Sequence, residues 1–500
     1  MNYMVSEVAI DRISVNGKRF IDSYGRHRIF NGVNYTDKSG LKFCYINANE
    51  YTELSLRKLS ECGFNVIRLG VTWEAIEPEP CKYNEEYIDK IVNFMDVCHK
   101  YGMYVFIDMH QDLYGPAGGS DGAPEWASLT DGAKLKKNKL VWATGYFWGK
   151  VVHNCFDNFW ANKEVNGIGL QTYFINMWKH IAERVKDHPA LFGFDLFNEP
   201  FPGSDGGKMF RTLIMSLAKT IITDKRCPKM EMLKCLLKKD MSGVLEPFDD
   251  PDLFRKVTRA GLPLEKKFDE GVYSDFINRL SKGIREVTDN GVIIVESSYY
   301  TNISIPFSMP AVNYDGKREE KLCYSPHGYD LMVDTPAYDY PSDARVQTIF
   351  DEKKNTQKAW NVPVIVGEWG SYSESENYFK HIDFLLDYFD QNQWSQTFYT
   401  FFMSMYVYDQ PFFDHLTRPF PVAVCGDIVK YRHDRENNSF MLEFNQDKEY
   451  DVPTVVFAHK EIESIETDGE YKIIPFGETG RSHIEIKTGI GSHKIKVNFK

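Results

Sequence analysis

The 500-residue chain has no run of eighteen or more apolar residues, so no segment of it reads as a membrane-spanning helix. Its nine cysteines include no CxxC pair, which removes the usual spacing of a metal cage, and no metal or other cofactor is expected. The odd count leaves at least one thiol unpaired in a single chain, while disulfides among the others stay open. Positive charge is in short supply: 59 Lys and Arg face 71 Asp and Glu, a net charge of -12. That argues against nucleic acid as a partner and says little about neutral sugars or lipids. The first eleven residues lack a charged region followed by an apolar run, so no signal peptide is visible. The protein is then expected inside the cell, or in a secreted or lysosome-like setting if a leader has been removed. No Gly-rich phosphate turn follows the first strand-like run, which weighs against a doubly wound nucleotide-binding sheet. No internal repeat is present.

What is present centres on one stretch, LFGFDLFNEP at 191–200. A β-favouring, largely apolar run ends abruptly in Asn198-Glu199-Pro200, as in a buried strand that delivers two polar side chains at its tip. Proline stops the ladder there. A second run, PVIVGEWG at 363–370, places Glu368 in the same way. Two glutamates at the same end of two parallel strands are what acid–base cleavage of a glycosidic bond requires.

The surrounding pattern predicts how they meet. Residues 11–26 alternate around Asn16-Gly17 as a hairpin suited to closing a barrel floor. Strands are expected at 27–35, 66–71, 104–110, 191–197, 291–296, 321–329, 362–368 and 396–402. Helices are expected at 50–62, 84–101, 168–186, 273–288, 344–356 and 375–390, with a long loop from 111 to 160. This alternation over roughly 400 residues predicts an α/β chain with a (β/α)8 barrel in residues 1–408. Residues 203–272 interrupt the rhythm and read as an insertion at the active-site mouth. Within it, 210–223 carries Phe210, Leu213, Ile214, Leu217 and Ile221 at amphipathic-helix spacing; a membrane-resting lip is the alternative reading. A Pro-rich connection at 409–421 leads to short alternating runs in 422–500, a β-sandwich.

Strand tips at the C-terminal end of such a barrel form the active site. The residues placed there are Asn34, Arg68, Asp108, His110, Asn198, Glu199, Glu296, His327, Tyr329 and Glu368. The chemistry makes Glu368 an ionised nucleophile held by Arg68 and Tyr329. Glu199 is then the general acid and later the base, and Asn198 reaches the 2-OH of the sugar. Asn302-Ile-Ser304 and Asn437-Asn-Ser439 match the N-glycosylation triplet, a pattern common by chance.

Arg68, His110, Asn198-Glu199-Pro200, His327-x-Tyr329 and Glu368, in that order, resemble glycoside hydrolase family 5, a retaining family. Asn34-Tyr-Thr-Asp-Lys38, Asp108-Met-His110-Gln-Asp112, Asp157-Asn-Phe-Trp160 and Ser325-Pro-His327-Gly-Tyr329 are similar to the endoglycoceramidase subgroup, as is Arg418-Pro-Phe-Pro421. The resemblance implies a barrel with a C-terminal β-sandwich that cuts the β-linkage between a glycan and ceramide. By position it makes Glu199 the acid/base and Glu368 the nucleophile, with Lys38, Asp108 and Trp160 contacting the sugar next to ceramide. A glycosphingolipid substrate, contact with a membrane or micelle surface and a monomeric state follow as expectations. A glucosylceramidase-like preference for a single sugar, a β-glucan endohydrolase and a non-catalytic glycan- or lipid-binding barrel are the alternatives. Two departures bear on specificity: the subgroup's usual Trp after strand eight is absent from Phe401-Phe402-Met403-Ser404, and the 203–272 insertion is long.

Overall fold

A computed structural model describes residues 11–39, 44–136, 142–333, 335–400, 408 and 410–500. Eight parallel strands form the barrel: β1 (Asn31–Tyr35), β2 (Val66–Val71), β3 (Tyr104–Met109), β4 (Leu191–Asp195), β5 (Val292–Glu296), β6 (Leu322–Ser325), β7 (Ile365–Val366) and β8 (Ser395–Phe398). Each pairs with its neighbour in sequence, and β8 returns to β1 with Gln396 opposite Asn31. The seam between β6 and β7 is held by a bridge from Tyr324 to Val364. Beyond it, His327–Gly328 and Glu368–Trp369 pair in parallel, with His327 opposite Glu368. The two long strands expected at 321–329 and 362–368 are therefore each broken, at Pro326 and at Gly367. The break at Pro326 follows from its missing N–H. At Gly367 a Cβ would lie 2.5 Å from Ser325 Oγ and 2.8 Å from His327 Nε2, so only glycine lets the strands approach.

Helices cover the barrel, and their ends follow local signals. The helix Glu50–Glu61 is capped by Asn49, whose side chain accepts from the Tyr51 and Thr52 amides. The helix Glu85–Lys100 starts on Asn84 with two glutamates in its first turn and ends on His99 and Lys100, in line with its dipole. The region expected as one loop from 111 to 160 contains the helices Thr144–Trp148 and Lys150–Trp160. The insertion is helical: Ser204–Thr223, Lys229–Leu237, Met241–Leu245, Pro251–Thr258 and Leu262–Phe268. Phe248, Leu253, Phe254 and Val257 build a small core with Cys227 and Met232 against Ile349 of the helix Asp343–Trp360.

Residues 422–500 contribute to two antiparallel sheets around Phe420, Phe440, Leu442, Val456, Phe457, Ile484 and Val497. The strand Phe420–Val424 opens this part, following the short helix Pro411–Leu416 where a Pro-rich connection was expected. The hairpin near the N-terminus differs from expectation. Its strands Ser14–Asn16 and Arg19–Ile21 lead to His27–Arg28, which pairs with Phe420–Val424 and so belongs to the larger sheet of the C-terminal sandwich. The strand expected at 27–35 is thus two strands, one in each sheet. Side chains of the hairpin do close the barrel floor: Ile13 and Phe20 pack with Phe30, Phe106, Phe192 and Ile294. All nine cysteines are free thiols.

Phe20 lies edge-on to Phe30 and Phe192, with ring centroids 5.6 and 5.2 Å away, and is 2% exposed. Phe20→Ala should therefore cost about 3–5 kcal/mol of stability. All nine tryptophans lie between residues 73 and 394, so fluorescence follows the barrel while far-UV circular dichroism follows both parts. Urea unfolding should give coincident curves by the two probes, and separate midpoints would show that the hairpin does not bind barrel and sandwich into one cooperative unit.

Candidate active site

Arg68 on β2 is fully buried at the barrel's upper end, and its guanidinium is surrounded by acceptors. Nε donates to Asp195 Oδ2 at 2.8 Å. Nη1 donates to Asn34 Oδ1 at 2.9 Å and to Glu368 Oε1 at 2.6 Å. Nη2 donates to Asn198 Oδ1 at 2.9 Å and Glu296 Oε1 at 2.6 Å, and lies 3.0 Å from Asp108 Oδ1. Five strand tips are thereby tied to the side chain of a sixth, and the planar fork suits this many-sided contact.

Glu368 accepts from Arg68 on one oxygen and from the Tyr329 hydroxyl, at 2.9 Å, on the other. Burial pushes its carboxyl up, but the charges of His327, Arg68 and His110 more than reverse this and leave it below the usual carboxylate range. Burial and the Glu368 charge raise Tyr329 well above its ordinary value, so it stays a donor.

Glu199 is set differently. Its backbone takes a left-handed conformation with φ of 41°, held by its own N–H on Glu296 Oε2 at 2.8 Å. Gln111 Nε2 donates to the carbonyls of Asn198 and Glu199 at 2.9 and 3.3 Å. A non-glycine residue there carries local strain that these bonds support. Asn302 Nδ2 at 2.6 Å and His327 Nδ1 at 3.0 Å both address Oε1 of the side chain, which leaves Oε2 to carry a proton. Burial raises the Glu199 carboxyl, the His327 contact pulls it down, and the charges of Glu368 and Glu296 raise it again, for a net upward shift. Glu296 moves the other way, to about 2: burial is outweighed by His327 and Arg68. His327 is pushed well up against its burial by Glu296 and Glu368. Glu199, His327 and Glu368 each bring a ligating atom within 4.8 Å of the others. Oxygens of the two glutamates therefore approach within 4.8 Å of each other, a proximity in keeping with a retaining pair, whose carboxyls stand roughly 5–5.5 Å apart.

A second chain of charge runs to the rim. His110 Nδ1 lies 2.7 Å from Asp108 Oδ2, and its Nε2 is 3.7 Å from Asp112 Oδ2. Burial and Lys38 lower His110, but Asp108 and Asp112 raise it further, to about 10. Lys38 pairs with Asp112 and lies 3.8 Å from Asp121. The acidic groups Asp108–Asp195–Glu296 and His110–Asp112–Asp121 have metal-like spacing, and each already faces a protein cation, Arg68 or Lys38.

Residues 30–226 and 263–402 match the Cellulase (glycosyl hydrolase family 5) family, and residues 418–497 match the Glycoside hydrolase family 5 C-terminal domain. The chain belongs to glycosyl hydrolase family 5. Among curated family members, it is similar to an endoglycoceramidase of Hydra vulgaris, 32% identical over 227 residues that make up 40% of this chain and 43% of that protein. A glucosylceramidase of Rhizopus delemar is 32% identical over 178 residues, 30% of this chain and 26% of that protein. The chain thus spans less than half the length of these relatives. In three dimensions it resembles endo-glycoceramidase II from Rhodococcus sp., with a TM-score of 0.73 at 21% identity over 96% of this chain and 99% of that one.

Of the residues the sequence singled out in this family 5 chain, Asn34, Lys38, Arg68, Asp108, His110, Asn198, Glu199, Glu296, His327, Tyr329 and Glu368 form one contact network. Trp160 does not. Its indole N–H donates to Phe201 O at 2.8 Å, and its ring is enclosed by Phe159, Phe197, Phe268, Tyr273 and Phe276. It ends the helix Lys150–Trp160, whose apolar face turns it into the core and away from the contact network of the other residues. Residues 401–404, where a stacking replacement was sought, lie outside the described residues. Tyr399, at the tip of β8, is described, with its ring 6.5 Å from that of Tyr329.

Sequence reasoning missed Asp195, Gln111 and Asn302 as site residues. An aspartate inside the apolar run LFGFD was the available signal for Asp195, since a buried acid needs a cation. Asn302 carried only the glycosylation triplet, and its amide is engaged by Glu199 instead. The turn bearing it, Tyr299–Ile303, rests on buried groups: Lys353 Nζ donates to Thr301 O at 2.8 Å, and Ser298 Oγ donates to Glu265 of the insertion.

The roles expected of the two glutamates, nucleophile and general acid, require Glu368 ionised and Glu199 protonated. Rates should rise with pH as Glu368 loses its proton, below the ordinary glutamate value of 4.5, and fall as Glu199 loses its own above it. Asn302→Ala removes a donor that favours ionised Glu199, so the basic limb of the kcat profile should move to higher pH; an unmoved limb would show that the Asn302 bond does not act on the acid. Glu368→Gln should abolish turnover and Glu199→Gln should lower it by about 10²–10⁴-fold for a substrate with a poor leaving group, with folding intact by circular dichroism.

Proposed function

We propose that this chain is a retaining endo-β-glycosidase that hydrolyses the linkage between the glycan and ceramide of glycosphingolipids. The observation that carries the chemistry is the opposed environment of two adjacent carboxyls: His327 and Arg68 favour the ionised form of Glu368, while burial favours the protonated form of Glu199. Glu368 attacks the anomeric carbon as Glu199 gives its proton to the glycosidic oxygen, and the ceramide leaves as the neutral alcohol. Glu199, now a carboxylate, takes a proton from water, whose oxygen displaces Glu368 and frees the reducing sugar. Asn198, its oxygen fixed by Arg68 and one N–H spent on Gln111 O at 3.0 Å, keeps a second N–H for the 2-OH. Lys38, Asp112 and His110 extend the polar side of the cleft toward further hydroxyls.

Support for the lipid-linked substrate comes from the endoglycoceramidase relatives. A glucosylceramidase acting on a single sugar is the second reading, favoured by the matches to fungal glucosylceramidases. Such substrates bring the enzyme to a membrane or micelle surface. Digestion of a ganglioside, glucosylceramide and a soluble β-glucan side by side, with mass spectrometry of the products, separates the readings. Intact oligosaccharide plus ceramide from the ganglioside is expected. Cleavage confined to glucosylceramide would favour the second reading, and cleavage of the glucan alone would overturn both.

A further inference from the structure

We propose that the first two helices of the insertion, Ser204–Thr223 and Lys229–Leu237, form a lip that docks on anionic lipid surfaces. Four of the five apolar residues noted in 210–223 turn inward. Leu213 and Phe210 pack toward the barrel core, and Leu217 and Ile221 pack on the insertion's own core. A different set faces outward. Met215, Ile222, Met230, Leu233, Leu236 and Leu237 are exposed, Ile222 by 67% and Leu237 by 77%. So many large aliphatic side chains on two consecutive helices exceed the scattered singles of an ordinary surface.

Charge identifies the occupant. Residues 204–241 hold nine Lys or Arg against four Asp or Glu, a local +5 in a chain whose total is -12. Lys219, Lys225, Lys229, Lys234, Lys238 and Lys239 are exposed and, among the described residues, make no ion pair. Apolar residues interleaved with unpaired lysines match a surface of acyl chains beneath anionic headgroups. A second protein of this acidic kind would meet the lysines too, so self-association is the rival.

The lip is continuous with the catalytic mouth. Its first helix begins five residues after Glu199, and Gly206 O accepts from Tyr300 OH at 2.7 Å, in the turn that carries Asn302. Phe210 stacks on Phe147 at 4.2 Å and meets the exposed Trp148 at 5.0 Å. The benefit of such a lip rests on the reading of a lipid-borne substrate, whereas its binding to vesicles does not.

The test is co-sedimentation of the full chain with phosphatidylserine–phosphatidylcholine vesicles and with pure phosphatidylcholine vesicles. Binding is expected to the first, to weaken with salt, and to fall at least tenfold both in Leu233→Ser/Leu237→Ser and in Lys234→Glu/Lys238→Glu. Hydrolysis of a soluble aryl β-lactoside should be unchanged in both variants. Absence of wild-type binding, or equal binding by the variants, overturns the lip. A concentration-dependent dimer in analytical ultracentrifugation that the same substitutions abolish, without vesicle binding, assigns the face to a second copy instead. If vesicles bind and ganglioside is not cleaved, the lip stands and the substrate reading fails; cleavage of micellar ganglioside without vesicle binding gives the reverse.

Discussion

One guanidinium in the middle of the barrel mouth sets the terms for everything around it. Arg68 has no exposure and touches Asp108, Asp195, Glu296 and Glu368, each from a different strand or strand extension. Burying one cation among four carboxylates is unfavourable unless further charge and hydrogen bonds complete the group. His110 and His327 supply two more cations, both driven to the charged form by the carboxylates they face. The fourth carboxyl, Asp195, is raised well above its ordinary value, by burial and then by Glu296, which favours its neutral form. Removing a charged member such as Arg68 or Glu296 leaves buried charge unmatched, so the same network that fixes geometry also resists substitution.

The contrast between the two glutamates follows from these surroundings. Arg68 reaches Glu368 directly and Glu199 only through intermediaries, Asn198 and Glu296. Cationic His327 lies between the two, yet its effect on Glu199 is offset by burial and by the charges of Glu368 and Glu296. Two chemically identical side chains are thus shifted in opposite directions, Glu199 upward and Glu368 downward, by burial and by where they sit among the cations and carboxylates of the mouth. The left-handed turn at Glu199 belongs to the same arrangement, since its N–H is donated to Glu296.

Much of this was legible in the sequence, for a physical reason. Barrel strands buried on both faces read as apolar runs, and their polar tips stand out against them, as at Arg68, Glu199 and Glu368. The broken strand at 27–35 was not legible, because Ile29 and Phe30 continue the apolar run while facing different cores. That Trp160 packs against five other rings, apart from the network, was not legible, because an aromatic at a helix end does not disclose its neighbours. Asn302 was invisible, since a single amide on a loop acquires its role only from what the fold brings opposite it. The insertion's helices were visible by spacing, but which faces they bury depended on a neighbour, the helix Asp343–Trp360, more than a hundred residues later.

The strand His27–Arg28 pairs with residues 423–424, almost four hundred positions along the chain. During synthesis the barrel floor can assemble around Phe20 and Phe30 early, while the free edge beside His27 and Arg28 has no partner. At about 5–20 residues per second, that edge waits on the order of 20–80 s before its complement emerges. The sheet that finally joins the two parts is therefore the last clasp to close, and an unpaired strand edge is a target for association with other chains until it does. Production of this protein should be governed less by the stability of the finished barrel than by what shelters its first strands in that interval.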